Sequence, residues 1–236
     1  MRPVLAVSIL LATACSQHVY SPPTQAFALG SVHPIAAGDR GLDLEASSHS
    51  AIFEPAYIAS SGRVRYGIGN DTEVSGEGAV AVVDDHGNST ANRNVYAGRL
   101  GFRINPAHGP FTASFGTGGG WAPAGGTFAA IDGGLQVGAD NCYVVPIAAV
   151  SAFASQPIDS RPIDVGTDDY GTTYSTARRT VGGTVRGGLR ISLSPSACHA
   201  GHQAPWITAG FDVTTLVDAT DDQELFGLGL GLELPL

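Results

Sequence analysis

From Gly41 to the C-terminus the chain is built of stretches in which apolar residues occupy every second position, and none of them carries a 3.6-residue apolar period. The closing residues, ELFGLGLGLELPL, are the clearest case. Phe226, Leu228, Leu230, Leu232, Leu234 and Leu236 alternate with Gly227, Gly229, Gly231 and then Glu233. Such alternation sends one set of side chains to one face of a β-strand and the other set to the opposite face. It recurs at Gly41–Ser48, Gly62–Gly69, Thr72–Val83, Asn94–Ile104, Phe111–Trp121, Phe128–Val137, Thr180–Leu193 and Pro205–Leu216. Tyr143–Phe153 is a further strand, apolar on both faces and interrupted by Pro146. The chain is therefore all-β, with about ten strands separated by turn signals.

Periodicity does not say which face is wet. A soluble β-sandwich or small barrel turns its apolar face inward, whereas a transmembrane barrel turns it outward. Four features favour the second. Many of the stretches approach the 9–11 residues that a tilted strand needs to cross a bilayer, against about 5–6 for an average strand. The connections after even strands, such as ND and GADNC, are mostly shorter than DDHGNSTANR and SQPIDSRPIDVGTDDYGTTYSTARR, which follow odd ones. Tyr96, Phe111, Trp121, Tyr143, Phe153, Trp206 and Phe226 lie near strand ends, as interfacial rings do, although Trp206 falls on the polar face. Finally, glycine is abundant, at 32 of 236 residues, and the closing strand sets it on the polar face. There it leaves room in a crowded interior, whereas on a wet surface it would only cost entropy. The expected fold is an up-and-down antiparallel transmembrane β-barrel of about ten strands over residues 40–236.

In that orientation the interior gathers Arg63, Arg65, Arg99, Arg103, Arg186 and Arg190 with Asp43, Glu45, Glu73, Glu77, Asp132, Asp212 and Glu233. The two signs nearly balance. Charges in a narrow, poorly hydrated space persist only when paired, so the expected lumen is a cross-linked plug and not an ion-selective pore. With 12 Lys and Arg against 21 acids, the chain lacks the basic face that a nucleic-acid partner requires.

The first residues, MRPVLAVSILLATACSQ, give a positive n-region at Arg2, an apolar run from Val4 to Leu11 and a small-x-small cleavage site at Ala12–Ala14. The apolar run is too short to span a bilayer as a helix, which needs about 20 residues. Residues 1–14 read as an export signal, and residues 15–39, rich in Ser, Pro and small side chains, as an irregular tether. An even strand count places both termini on the short-turn, periplasmic side.

Two resemblances add to this. RVRYGIGNDTEVSGEGAVAVV resembles the hairpins of bacterial outer-membrane β-barrel proteins, and the closing strand is similar to their terminal assembly signal, though it ends Leu-Pro-Leu where that superfamily usually ends on an aromatic. LATAC resembles the lipobox of bacterial lipoproteins, with Ala12 where Leu is preferred. The resemblances imply an outer-membrane location in a Gram-negative envelope, insertion by the barrel-assembly machinery, contact with outer-membrane lipids, lipidation of Cys15 and handling by the lipoprotein-sorting machinery. They imply a structural, surface-interaction or narrow-transport role without catalysis.

Cys142 and Cys198 both fall in connections of the short-turn side, and in an oxidising compartment a disulfide between them is expected, with two free thiols as the alternative. CHAGH gathers Cys198, His199 and His202 but has no second cluster to complete a zinc site, and no metal or cofactor is expected. DVGTDDYG has calcium-type ligands but no further support. Asp84 and His86 in DDHG, with Asp168, Asp169, Asp221 and Asp222, are similar to the carboxylate and Asp–His sets of ten-stranded outer-membrane proteases. That barrel-embedded protease and a soluble periplasmic lipoprotein binding module are the alternatives. Nucleophile elbows, phosphate loops and nucleotide fingerprints are absent.

Overall fold

The computed structural model describes residues 20–23, 25, 29–50, 57–83, 94–106, 109–139, 141–168, 171–194 and 204–236. The strands are β1 Arg40–Ser50, β2 Tyr57–Gly69, β3 Thr72–Val83, β4 Val95–Ile104, β5 Phe111–Ala122, β6 Gly126–Gly138, β7 Val144–Ser160, β8 Ile163–Asp168, β9 Gly171–Ser175, β10 Thr180–Ser192, β11 Trp206–Val217 and β12 Asp222–Pro235. All but β8 and β9 close into one antiparallel barrel, in which β1 pairs with both β2 and β12. Closure leaves no unpaired edge. The soluble sandwich is thereby corrected, because one sheet closed on itself has no second sheet to seal its leucines against.

The alternation sorts the side chains as the barrel demands. Leu100 and Leu228 are each 70% exposed on the outside, while Glu73 and His49 are 0% exposed within. Ile58, Val64, Phe115, Ile131, Leu135, Val185, Phe211 and Leu230 continue the outer apolar surface. Trp206 points inward as its parity required, and so does Phe153, which therefore belongs to no outer girdle.

One end of the barrel, here called the turn end, carries the Asn70–Asp71 turn between β2 and β3 and the C-terminal end of β12. The other is the loop end. The asymmetry of the connections is narrower than the sequence suggests. Residues 84–94 and 161–179 are long at the loop end, but β5 returns to β6 there through residues 123–125 alone, and 193–205 at the turn end is long. The connection after β7 is also not irregular throughout, since β8 and β9 form their own two-stranded hairpin.

The described chain before β1 does not lie outside the barrel. Leu29, Ser31, Val32 and Ile35 are buried in its interior, and Ser21 is buried between β7 and β10. The segment leaves at the turn end through a tight reversal in which Asp39 N–H donates to Ala36 O at 3.0 Å, and Gly38 N–H donates to Gly67 O at 2.9 Å. Gly38 sits at φ +88°, a conformation open to glycine at little cost. Gly67 lets the backbone of Ala36 pass where any side chain would collide with its carbonyl.

Candidate functional site

The interior is the candidate site, and its charges stack in two tiers set by strand register. In the tier nearer the turn end, Arg65 reaches Asp43 at 2.9 Å and Glu233 at 3.5 Å, and Arg190 forks onto Glu233 with Nε at 2.8 Å and Nη2 at 2.9 Å. Arg190 also lies over the Trp206 ring, 3.9 Å from its centroid. Across the lumen, Arg103 donates to Glu73 at 2.9 Å, with Arg65 3.6 Å from the same carboxylate. In the middle tier, Arg63 Nε donates to Asp43 at 2.8 Å and Nη2 stands 3.5 Å from Glu45. Arg99 Nε donates to Asp132 at 2.7 Å, and its Nη1 is 3.8 Å from Glu77. Arg186 donates to Ser151 at 3.2 Å and has no ion-pair partner among the described residues. Bidentate guanidinium pairs of this sort are charge-assisted and fix orientation as well as energy.

One buried pair escaped the sequence reading. His49 Nε2 and Asp212 Oδ2 are 3.1 Å apart, both without exposure, and Tyr57 stacks on the imidazole at a centroid distance of 4.6 Å. His49 lies one residue beyond the stretch that the alternation marked. Its inward parity with Asp43, Glu45 and Ser47 was the signal available. The closing glycines make room for it, since a Cβ at Gly227 would lie 2.7 Å from Asp212 Oδ1 and against the imidazole. Gly227→Leu is expected to part the pair and cost about 1–3 kcal/mol, the usual range for overpacking. Gly76→Ala, where a Cβ meets nothing within 4 Å, should leave the urea unfolding midpoint unchanged.

The N-terminal segment occupies what the charges leave. Arg103 Nη2 donates to Ser31 O, Thr112 Oγ1 donates to Val32 O, and Gln136 Nε2 donates to Gly30 O at 2.7 Å. Ile35 N–H donates to Glu73 at 3.0 Å, and His33 Nδ1 faces Asn105 Nδ2 at 2.9 Å. Leu29 enters a notch at Gly188 and Gly210, where a Cβ on Gly188 would lie 2.8 Å from its Cδ1. Leu29 and Val32 form an apolar cluster with Val145, Ile147, Ala204 and Trp206, joined by Cys142. At the loop end, Phe153, Leu216 and Leu225 make a second cluster with Tyr20 and Tyr57. The doubly apolar β7 is thus explained: its inner face lines these two clusters. Among the described residues, Leu29, Val32 and Ile35 share the interior with the arginine–carboxylate pairs, so chain as well as salt bridges occupies the lumen.

Cys15, Asp84, His86, Asp169, Cys198, His199 and His202 lie outside the described residues, as do the side chains of residues 164–168. Asp221 precedes and Asp222 begins β12 at an exposed turn of the loop end, where Asp218 accepts from Thr220 N–H at 2.6 Å and Asp221 N–H at 2.9 Å.

No protein-family model matches the chain, and no curated protein sequence matches it. Among solved structures it is similar to Neisserial surface protein A, at 9% identity and TM-score 0.34, over 83% of this chain and 95% of that one. It is similar also to the N-terminal β-barrel domain of Pseudomonas aeruginosa OprF, at 10% identity and TM-score 0.36, over 82% and 97% of the two chains. A third is Ail, the attachment invasion locus protein of Yersinia pestis, at 10% identity and TM-score 0.29, over 84% and 99%. At this identity and overlap the barrel's own closed ladder, and not the likeness, establishes the architecture.

Proposed function

We propose that this protein is an outer-membrane β-barrel with a closed interior, serving as a structural or surface-interaction element and not as an open channel or an enzyme. The observation that carries the reading is the inversion of the barrel: large apolar side chains cover the outside and ion pairs fill the inside. A soluble protein rarely exposes a contiguous apolar patch beyond a few hundred Å², because water penalises it; acyl chains do not. Narrow transport is disfavoured by the segment from Leu29 to Ile35 lying across the lumen.

Export by residues 1–14, lipidation at Cys15, insertion by the barrel-assembly machinery and handling by the lipoprotein-sorting machinery belong to this reading. So does a Cys142–Cys198 disulfide, which the packing of Cys142 against the cluster that includes Ala204, six residues after Cys198, supports.

The test is at the outer face. Leu230→Arg places a guanidinium among lipid-facing side chains and is expected to cost about 2–4 kcal/mol in lipid vesicles. The urea midpoint of the reconstituted protein reads it. Cys15→Ser is expected to leave the protein in the carbonate-washed membrane fraction, because the strands themselves hold it there. A Cys15→Ser protein released to the soluble fraction, or a Leu230→Arg protein of unchanged midpoint, overturns the reading.

A further inference from the structure

The chain enters the barrel from the end opposite its C-terminus. Ser21 N–H donates to Thr180 Oγ1 at 2.8 Å, and Ser21 Oγ is 2.7 Å from Ser155 Oγ, while Tyr20 bridges Arg178. Thr180 opens β10 and pairs with Ser155 near the loop end. Ile35 binds Glu73 and Gly38 binds Gly67 beside the Asn70–Asp71 turn, at the turn end. Leu29, between them in sequence, sits between them in the lumen, in the Gly188–Gly210 notch. The even number of barrel strands brings β1 and the end of β12 together at the turn end, but the described residues ahead of β1 are found at both ends of the interior.

We infer that the N-terminal segment is threaded through the barrel, so that the chain ahead of Tyr20 is displayed at the loop end, on the face of the membrane opposite the C-terminus. In outer-membrane barrels the longer loops face outward and the tight turns face the periplasm. The N-terminal side of the strap is then at the cell surface, and not periplasmic as an even strand count alone implies.

A second consequence rests on the proposed lipidation. Cys15 precedes Tyr20 by five residues, and at about 3.4 Å per residue it lies no more than ~17 Å away. The apolar band of such barrels is about 25 Å tall. A thioether-linked diacylglyceryl group on Cys15 is thus held in the leaflet on the loop side, and the lipid and the barrel enter the bilayer as one surface-facing unit.

Two measurements on the full-length protein in cells decide this. A membrane-impermeant maleimide is applied to His18→Cys and, separately, Leu236→Cys, with the parent chain as background and heat-modifiable gel migration required of each variant. His18→Cys is expected to label as fully in intact cells as in lysed ones, and Leu236→Cys only after lysis. His18→Cys that labels only after lysis overturns the threading. In addition, Ser21→Cys with Ser155→Cys is expected to form a disulfide without added oxidant, seen as faster migration on a non-reducing gel. A folded barrel in which the two thiols stay free also overturns it. Metabolic labelling with an alkyne fatty acid reads the lipid separately. Surface-reactive His18→Cys in a chain that takes no label removes the leaflet assignment and leaves the threading, whereas lipidated protein with a buried His18→Cys removes the threading and the leaflet assignment with it and leaves only the lipidation.

Discussion

Glu73→Ala is expected to cost about 3–5 kcal/mol of folding free energy, the range for stripping one partner from a buried ion pair. Glu73 has no exposure, and its carboxylate is shared by Arg103 at 2.9 Å, Arg65 at 3.6 Å and the Ile35 N–H at 3.0 Å. Truncation strands the Ile35 N–H and takes one carboxylate from two buried guanidinium groups, leaving Arg103 on the Ser31 carbonyl and Arg65 on Asp43 and Glu233. The urea midpoint of the protein in lipid vesicles, together with the temperature at which heat-modified migration sets in, measures the loss. Glu73→Gln keeps an acceptor for Ile35 and should lose less. Arg103→Ala combined with Glu73→Ala should cost clearly less than the sum of the single changes, since the two side chains share one interaction. Additive losses, or a Glu73→Ala protein within about 0.5 kcal/mol of the parent, the usual range for substitutions away from buried networks, mean that water already pays the solvation of this tier.

The charged interior was legible because strand parity is rigid. Once the period of two is set, Arg99 and Arg103 must share a face, and register brings Glu77 opposite Arg99 and Glu73 opposite Arg103 on the neighbouring strand. On the other side of β3 the Asn70–Asp71 turn fixed the β2–β3 register in the sequence itself, which sets Arg63 opposite Glu77. Closure of the barrel was legible for a related reason, since long strands with outward leucines have no other stable partner than lipid.

The threaded segment was not legible, and its chemistry says why. Leu29-Gly30-Ser31-Val32-His33-Pro34-Ile35 has no period, and the groups that hold it are mostly main-chain: the carbonyls of Gly30, Ser31 and Val32 and the N–H of Ile35. Every residue carries the carbonyl and every residue but proline the N–H, so their use leaves almost no mark on residue choice. The mark lies on the receiving side. Val145, Ile147 and Phe153 are apolar residues with inward parity in an otherwise ionic lumen, and inward apolar side chains there require an apolar partner. Gly188 and Gly210 add the notch for Leu29. The double-faced β7 was visible from the start; the Leu29 and Val32 that its inner face meets lie far away in sequence, in a stretch without period.

Deleting residues 20–35 is expected to turn a silent barrel into a conducting one. The described residues of the segment are found from the Ser21 contacts at the loop end, through Leu29, to Ile35 at the turn end, and no charged pair described above bridges the space that Leu29 and Val32 vacate. Stability should fall less than the contacts suggest. The lost hydrogen bonds contribute about 1 kcal/mol each and the buried Leu29, Val32 and Ile35 about 1.5–3 kcal/mol each. Releasing the segment, however, regains about 1–2 kcal/mol of backbone entropy per residue. Current is therefore the sharper readout. In planar bilayers the intact protein should give no discrete steps, the shortened one should, and a synthetic peptide of residues 20–35 should suppress them. Glu73, Arg103, Thr112 and Gln136, freed of the strap, then line a water-filled passage whose conductance changes with their charge, so Gln136→Lys in the shortened barrel should shift its selectivity toward anions. A shortened barrel that folds and stays silent assigns closure to the arginine–carboxylate tiers alone. The strap's role would then be confined to carrying the chain across the membrane, which the labelling of His18→Cys tests independently of any current.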